Sequence, residues 1–362
     1  MTRSSCSSAV EKRAIYCTGL SPLVNLLCSE KVTNETITYI DIDNIYDPKR
    51  FSKNHEREVY LARIFCDFFN VKFKSVGQVK CCIPPVEERT KTNYWYGKSD
   101  LKLKNGDLIS SFTIALFNTH NIKIEIFAEG ASALEWLDIN SFSKLNFISK
   151  WAKHVKTKLR KIKNILNRRN MTINKRLIFG DQGGRIQFYA KNIENIEVVS
   201  FDIMNKNMKN LAIYLADIFP EIDYRSHSDS FIHLTIEEMS DELYRTYLKG
   251  LSNIIGNKKL IVKKHPRDQR SYINIFKNFD VLFVPEEFRS LPVELILVQS
   301  NIKLCSYIST ALLSVDLDKV FIVEPPDEKI VELFNIGYKN LYKVLPLKEA
   351  ILTLAELDKI QV

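Results

Sequence analysis

The sequence has no apolar run that approaches the roughly 20 residues which a membrane-spanning helix requires. Its first 17 residues, MTRSSCSSAVEKRAIYC, also lack the apolar core of a secretory signal peptide. We therefore expect a cytoplasmic protein, whose contact with a membrane would be peripheral.

The sequence also lacks the residue patterns that usually bind metals or dinucleotides. Its seven cysteines include no CxxC pair, and the adjacent Cys81 and Cys82 have no His or Cys at ligand spacing nearby. The Gly-Gly pair at 183–184 lacks GxGxxG spacing and is interpreted as a turn. Asp41-Ile42-Asp43 matches a DxD motif in its letters only, at the tail of a predicted strand. We predict no metal site.

Acidic residues are missing from one long segment, although the whole chain contains 43 of them. Between Ser141 and Arg176 there are twelve Lys or Arg residues and no Asp or Glu, in a chain of net charge +9. Apolar residues recur there at intervals of three or four, which predicts an amphipathic helix over 141–170. A basic amphipathic helix is typical of contact with an anionic membrane or a polyanion, although a solvated helix packed on its own domain would show the same stripe.

Strand and helix signals alternate along the remainder of the chain, which has 362 residues and 45% hydrophobic content. This alternation of strands and helices predicts an α/β fold with two doubly wound, Rossmann-type domains. We place the first domain at 1–190 and the second at 191–362. Two local expectations accompany this division: Tyr94-Trp95-Tyr96 lies in a loop, and Thr235 with Glu238 forms a capping box.

Three polar sites in the second half follow predicted strands or open predicted helices. His265 ends the strand that contains Leu260 to Val262, and the following proline favours extended geometry at that point. Glu294 lies in the first turn of a helix that begins at Pro292, and Ser309-Thr310 follows another strand. Each has an ordinary structural explanation, such as a surface turn or an N-cap. Because ligands of open α/β sheets bind at the carboxyl ends of strands, the three together predict a pocket for a nucleotide phosphate.

These motifs resemble those of the bacterial sialyltransferases, the superfamily of lipooligosaccharide sialyltransferases and capsular polysialyltransferases. Lys-Lys-His265-Pro266 resembles the His-Pro motif of that family, and Ser309-Thr310 resembles its Ser-Ser/Thr motif 44 residues later. Pro292-Val-Glu294 resembles the element that contacts the nucleotide ribose. The loop at 18–23 resembles a loop near the family's N-terminus. Ala128-Glu129-Gly130 resembles the acidic motif, with alanine where the first acidic residue usually stands.

The resemblance implies a GT-B fold, in which an acceptor-side domain at 1–190 and a nucleotide-sugar-binding domain at 191–362 face a cleft. It also implies an inverting transfer of sialic acid from CMP-sialic acid without a metal or other cofactor. It implies that Glu129 is the catalytic base and that His265 is catalytic at the leaving phosphate, the two facing each other across the cleft. The remaining residues expected to bind the donor or its nucleotide are Thr18, Gly130, Lys264, Pro266, Glu294, Ser309 and Thr310.

The basic helix would then contact either the inner membrane face or an anionic, lipid-linked glycan acceptor of lipooligosaccharide or capsule. The residues expected to make this contact are Lys150, Lys153, Lys156, Arg160 and Lys161. Three alternatives stay open. The same fold could use another donor such as CMP-Kdo, the basic segment could bind nucleic acid, or the chain could be a pseudoenzyme that keeps the GT-B fold, given Ala128 in the acidic motif. No nucleic acid is expected as a partner, because no nucleic-acid motif appears and the aromatic cluster is not interleaved with the basic run.

Overall fold

The computed structural model describes most of the second half of the chain and the strands and two helices of the first half. The described residues are 12–17, 19–29, 32, 34, 36–40, 48–75, 85, 87–88, 92–97, 123–127, 173–181, 196–236, 239–265, 268, 270–307, 309, 311, 319–328 and 344–345. Side chains are described for fewer of them. The residues described by their backbone alone are 12, 39–40, 48–55, 75, 93–97, 123–127, 173–181, 196–201 and 344–345.

The first half forms a seven-stranded parallel sheet in the order β3-β2-β1-β4-β5-β6-β7. Its described helices are α1 (Leu20–Leu27) and α2 (Pro48–Phe68). Its strands are β1 (Lys12–Cys17), β2 (Ile37–Ile40), β3 (Lys72–Ser75), β4 (Thr92–Gly97), β5 (Lys123–Phe127), β6 (Ile173–Asp181) and β7 (Ile196–Ser200).

The second half forms a six-stranded parallel sheet in the order β10-β9-β8-β11-β12-β13. Helix α3 (Phe201–Ile218) leads into it, and α4 (Asp241–Ile255) and the short α5 (Glu294–Leu297) connect its strands. Its strands are β8 (Phe231–Leu234), β9 (Leu260–Lys263), β10 (Val281–Phe283), β11 (Lys303–Cys305), β12 (Val320–Val323) and β13 (Val344–Leu345). Both sheets reverse their strand order next to the first strand, as doubly wound Rossmann-type sheets do. The predicted α/β fold with two such sheets is confirmed.

The hydrophobic cores form around strands that consist of continuous runs of apolar residues. All four residues of β9 are buried, which requires that both faces of the sheet are covered. Helix α4 covers part of this sheet with a stripe at intervals of three and four: Tyr244, Tyr247, Leu248, Leu251 and Ile255. Each such side chain contributes about 1.5–3 kcal/mol through burial.

Local expectations were wrong where sheet pairing or a tertiary contact overrides local signals. Tyr94-Trp95-Tyr96 lies in β4, between β1 and β5, and not in a loop. Thr235 does not cap α4, because the helix begins later and Ser240 accepts a hydrogen bond from the Leu243 N–H at 3.4 Å. Strand β7 pairs with β6, so a strand placed beyond the expected boundary at residue 190 belongs to the first sheet.

Candidate active site at the carboxyl edge of the second sheet

The second sheet reverses its order between β8 and β11, and this reversal defines the crevice in which a ligand of such a sheet binds. Strand β9 lies on the other side of β8. Because neighbouring strands lie about 4.8 Å apart, the ends of β9 and β11 are separated by about 10 Å. The segments that follow these three strands contain Thr235, His265 and Ser309, which places the predicted motifs along one edge.

The backbone of His265 is anchored to the end of the neighbouring strand, while its side chain is exposed. Its N–H donates a hydrogen bond to Oγ1 of Thr235 at 3.1 Å. Thr235 is buried, and its hydroxyl donates in turn to Oδ2 of Asp268 at 3.1 Å. The Asp268 N–H donates to the carbonyl of His265 at 2.9 Å, which closes the turn. The imidazole is therefore presented to solvent from a fixed backbone, an arrangement suited to contacting an anionic group.

Asp268 is the centre of this anchoring network and is only 1% exposed. Its Oδ1 accepts from the backbone N–H of Arg270 at 3.0 Å and from its Nε at 3.3 Å, and its Oδ2 accepts from the Tyr272 hydroxyl. Burial raises the pKa of Asp268, but the hydrogen bonds from Tyr272 and Arg270 outweigh burial, and the net pKa is lowered. Asp268 is therefore held as a carboxylate within the fold.

Arg270 extends the network to the segment that follows β8. Its guanidinium donates to the carbonyls of Met239 and Ile236, at 2.5 Å each, and to the Tyr272 hydroxyl at 2.6 Å. These carbonyls precede α4, so the His265 turn is fixed to the start of that helix as well as to β8. The network leaves few conformations open to the backbone that carries His265.

A second group of charged residues lies beneath the edge, in the interior. Lys263, the last residue of β9, is 6% exposed, and its ammonium donates to the carbonyl of Arg289 at 2.6 Å. Burial lowers its pKa to about 8, an effect that the charge of Glu294 opposes. Glu294 is 5% exposed, and burial raises its pKa while Lys263 opposes the shift. The charge of each of these two buried residues therefore acts on the pKa of the other, and a ribose contact by Glu294 stays a prediction.

Lys264 and Ser309 lie nearer to solvent. The Lys264 ammonium forms an ion pair with Oε1 of Glu286 at 2.5 Å, so its charge is already partly neutralised. Ser309 accepts a hydrogen bond from the Ala311 N–H at 3.2 Å and is half-buried. The Ser306 hydroxyl, directly after β11, is fully buried without a hydrogen-bond partner within the described part of the chain. Hydroxyls of two serines thus follow β11.

His233 lies on β8 and contacts β11, the two strands between which the sheet reverses its order, and it is fully buried. Its Nδ1 lies 2.8 Å from the carbonyl of Cys305 on β11, and its Nε2 lies 2.5 Å from the Tyr244 hydroxyl on α4. Because a carbonyl can only accept, Nδ1 carries the proton and Nε2 accepts from Tyr244. Burial lowers the pKa of His233 to about 4, so the ring is neutral near pH 7. It supports the site without facing it.

Several predicted site residues lie outside the described residues. In the first half these are Thr18, Glu129 and Gly130, which follow β1 and β5 in sequence. In the second half they are Pro266 and Thr310. All five residues predicted for the basic helix also lie outside: Lys150, Lys153, Lys156, Arg160 and Lys161. Their roles, and the predicted facing of Glu129 and His265, stay predictions.

Sequence reasoning missed Thr235, Asp268 and Arg270. The signal for Asp268 was its position in the turn after a His-Pro step, where an Asp side chain commonly binds the backbone N–H two residues later. Its bond to the Arg270 N–H has this spacing. The contact with Thr235 spans 33 residues of sequence and had no local signal.

Two further observations concern metal ions and membranes. Within the described ranges, no group of three or more His, Cys, Asp or Glu side chains is arranged to hold a metal ion. Among the helices that the structure describes, none combines the length and apolar character needed to cross a membrane.

No protein-family model matches the sequence, and no curated protein matches it. The structure is similar to the GT-B domain of a sialyltransferase from Photobacterium damselae, residues 113–497, with a TM-score of 0.49 and 11% identity over 92% of this chain and 99% of that one. A second structure of a sialyltransferase from Photobacterium damsela has a TM-score of 0.46 and 11% identity, over 92% of this chain and 81% of that one. UDP-GlcNAc 2-epimerase from Neisseria meningitidis, bound to UDP-GlcNAc, has a TM-score of 0.38 and 11% identity, over 96% and 98%. None of these structures assigns a residue of the present site.

Proposed function

We propose that the chain is an inverting, metal-independent GT-B glycosyltransferase that moves sialic acid from CMP-sialic acid to a hydroxyl of a cell-surface glycan, in lipooligosaccharide or capsule. The observation that carries the proposal is the His265 turn, which follows the strand next to the reversal of the second sheet. An exposed imidazole on an anchored backbone, followed along the edge by the Ser309 hydroxyl, suits the phosphate of a nucleotide.

In the proposed reaction, the acceptor hydroxyl oxygen attacks the anomeric carbon of sialic acid while the bond from that carbon to the phosphate oxygen breaks. CMP leaves with the electron pair of that bond, and the acceptor proton passes to Glu129. His265, Ser309 and Thr310 would donate hydrogen bonds to the phosphate as its charge develops. The role of Glu129 rests on the sequence motif alone.

The first experiment measures CMP binding by calorimetry and nucleotide release from a panel of donors: CMP from CMP-sialic acid or CMP-Kdo, and UDP from UDP-GlcNAc. We expect binding of CMP and release of CMP from CMP-sialic acid. Release of CMP from CMP-Kdo alone would change the donor sugar of the proposal and would leave the proposed nucleotide site unchanged. Absence of CMP binding by the wild-type protein would contradict the proposal.

Two substitutions separate the proposed roles. His265→Ala should weaken CMP binding and slow release, since it removes a donor to the phosphate. Glu129→Ala should leave CMP binding unchanged and slow transfer by about 10²–10⁴-fold, the usual contribution of a general base. His227→Ala is the matched control, because His227 lies in the turn before β8, at the opposite edge of the sheet. Equal effects of the two histidine substitutions would contradict the assignment.

The acceptor side of the proposal concerns the basic helix. We propose that this predicted helix holds the enzyme to an anionic membrane surface through Lys150, Lys153, Lys156, Arg160 and Lys161. Each of these charges contributes about 1 kcal/mol to the free energy of membrane binding. Changing these five residues to Glu should abolish sedimentation with phosphatidylglycerol vesicles and leave turnover of a soluble acceptor unchanged. Unchanged sedimentation excludes the membrane role, and reduced use of a soluble polyanionic acceptor would indicate glycan guidance.

A further inference from the structure

Arg57 of α2 lies among three aromatic rings that belong to different parts of the chain. Its guanidinium carbon is 4.5 Å from the ring centroid of Phe288, 4.8 Å from that of Phe219 and 5.4 Å from that of Tyr60. The rings of Phe219 and Phe288 also contact each other edge to face, with centroids 5.2 Å apart. The Nε atom of Arg57 is buried without a hydrogen-bond partner within the described residues. The ring faces therefore provide the electrostatic compensation for this part of the cation.

This arrangement joins the two halves of the molecule. Helix α2 belongs to the first half, where it buries Leu61 and Phe65 in the core. Phe288 belongs to the segment 284–293 that connects β10 to α5 in the second half, which we call the donor-site loop. A second contact lies beside the first, since the Ser290 hydroxyl of this loop donates a hydrogen bond to Glu58 of α2. We call the two contacts together the Arg57 clasp.

The donor-site loop also contacts both lysines that precede His265. Its Glu286 forms the ion pair with Lys264. The carbonyl of Arg289, one residue after Phe288, accepts the hydrogen bond from the buried Lys263. The Arg289 side chain returns to Glu286 at 3.4 Å. Only a few residues of loop therefore separate the aromatic rings around Arg57 from the charges at the end of β9.

The other ring of the clasp is connected to α5 by a separate route. Phe219 directly precedes the turn that contains Ile222, whose carbonyl accepts a hydrogen bond from Gln299 Nε2 at 3.1 Å. The same amide donates to the carbonyl of Leu295 in α5 at 3.2 Å. The position of Phe219 is thus tied to the helix that carries Glu294.

We propose that Arg57 is a positioning residue that couples the first half to the nucleotide site. Nucleotide bound beside His265 would then stabilise α2 through the donor-site loop. The inference rests on the proposed function, since it requires that the edge at His265 binds a nucleotide. A transferase whose catalytic base lies in one half and whose donor site lies in the other needs such a coupling, because the base with its acceptor hydroxyl must be aligned with the donor sugar for reaction.

Hydrogen–deuterium exchange with and without saturating CMP tests the coupling. In the wild-type protein we expect slower exchange in the peptide covering 260–265 and, at a distance, in the peptide covering residues 57–68 of α2. Arg57→Met should abolish the distant protection, keep the local one, and weaken CMP binding by about fivefold, which is the low end of couplings between sites. Arg57→Lys keeps the cation and should restore part of both effects.

The matched control is Arg63→Met, because Arg63 lies on the same helix and contacts Phe73 of its own half at 5.6 Å. It should leave both the distant protection and CMP affinity unchanged. Ser290→Ala, which removes the Glu58 contact and keeps all aromatic rings, should reduce the distant protection even if Arg57→Met fails to fold.

The outcomes distinguish the two proposals. If the wild-type protein does not bind CMP, the proposed function fails and the coupling with it. If CMP binds and protects only the peptide at 260–265, the coupling is refuted while the proposed function stands. If Arg57→Met lowers thermal stability but keeps the distant protection and the affinity for CMP, the clasp is a purely structural contact and the inference is overturned.

Discussion

Replacement of Asp268 by Asn is the sharpest test of the network that anchors His265, because it removes a charge and preserves shape. The amide oxygen can still accept from the two N–H groups of Arg270, which have no acceptor capacity of their own. The amide nitrogen then faces the hydroxyls of Thr235 and Tyr272, each of which can reverse and accept. The substitution therefore isolates the contribution of the carboxylate charge.

The magnitude follows from the burial of the two partners. Removing one member of a buried ion pair costs about 3–5 kcal/mol, chiefly because the other charge is left without its partner. Asp268 is 1% exposed, but the Arg270 side chain is 27% exposed and keeps its carbonyl acceptors at Met239 and Ile236. We therefore expect a loss at the low end, about 3 kcal/mol.

Hydrogen exchange of the β9 amides measures this loss as a decrease in the free energy of local opening. The control is Asp280→Asn, since Asp280 is exposed and pairs with Lys259 at 3.8 Å, an interaction worth about 0–1 kcal/mol. The pKa of Asp268 is lowered in the fold, so its contribution is complete above the unfolded pKa of 3.8 and is lost as pH falls through the folded value. The stabilities of the wild-type protein and of Asp268→Asn should therefore become equal in strong acid. A loss no larger than that of the control would refute the reasoning.

Three further predictions concern stability. Burial lowers the pKa of His233 to about 4, so the unfolded chain takes up this proton first and wild-type stability should fall by about 3 kcal/mol as pH decreases from 6.5 to 4. In urea titrations across this range, His233→Gln should lack that component, and an unchanged slope would contradict it. Burial likewise lowers the pKa of Lys263 to about 8, so stability should rise by about 3 kcal/mol between pH 8 and 10.5. Lys263→Met should lose this rise, and an identical alkaline profile would exclude the assignment. Gly256 follows α4 with φ 59° and ψ −132°, a backbone conformation that residues with a Cβ rarely adopt. A Cβ added there would meet no atom within 4 Å, so Gly256→Ala should cost about 1–3 kcal/mol through backbone strain alone, seen as faster exchange in the last turn of α4.

The strand that precedes His265 could be predicted from sequence because its signals are local. Three apolar, β-branched-rich residues bounded by lysines leave few alternatives to a buried strand, and the following His-Pro step ends it. The same reasoning placed Glu294 in the first turn of a helix, where the structure has it. It could not show that Glu294 is buried and that the charge of Lys263 acts on its pKa, since the two residues are 31 positions apart in sequence.

Errors arose where a polar or aromatic signal has two structural uses. Thr235 followed by Glu238 satisfies a capping pattern, but the Thr235 hydroxyl is engaged with Asp268 and the His265 backbone, so Ser240 caps the helix. Tyr94 to Tyr96 lie between turn-forming segments, yet they complete the first sheet between β1 and β5. In both cases a partner distant in sequence determined the outcome.

The sequence by itself determined the alternation of strands and helices, the two-sheet α/β fold and the strand end at which His265 lies. These follow from hydrophobic periodicity and from backbone chemistry that acts over a few residues. Only the tertiary structure decided which groups hold that histidine in place and which charges lie buried beneath it. The Thr235 hydroxyl accepts a hydrogen bond from the His265 N–H and donates one to Asp268, and Arg57 lies between Phe219 and Phe288. These contacts join residues 30 to 231 positions apart. No local pattern encodes such contacts, because they arise when whole elements pack together.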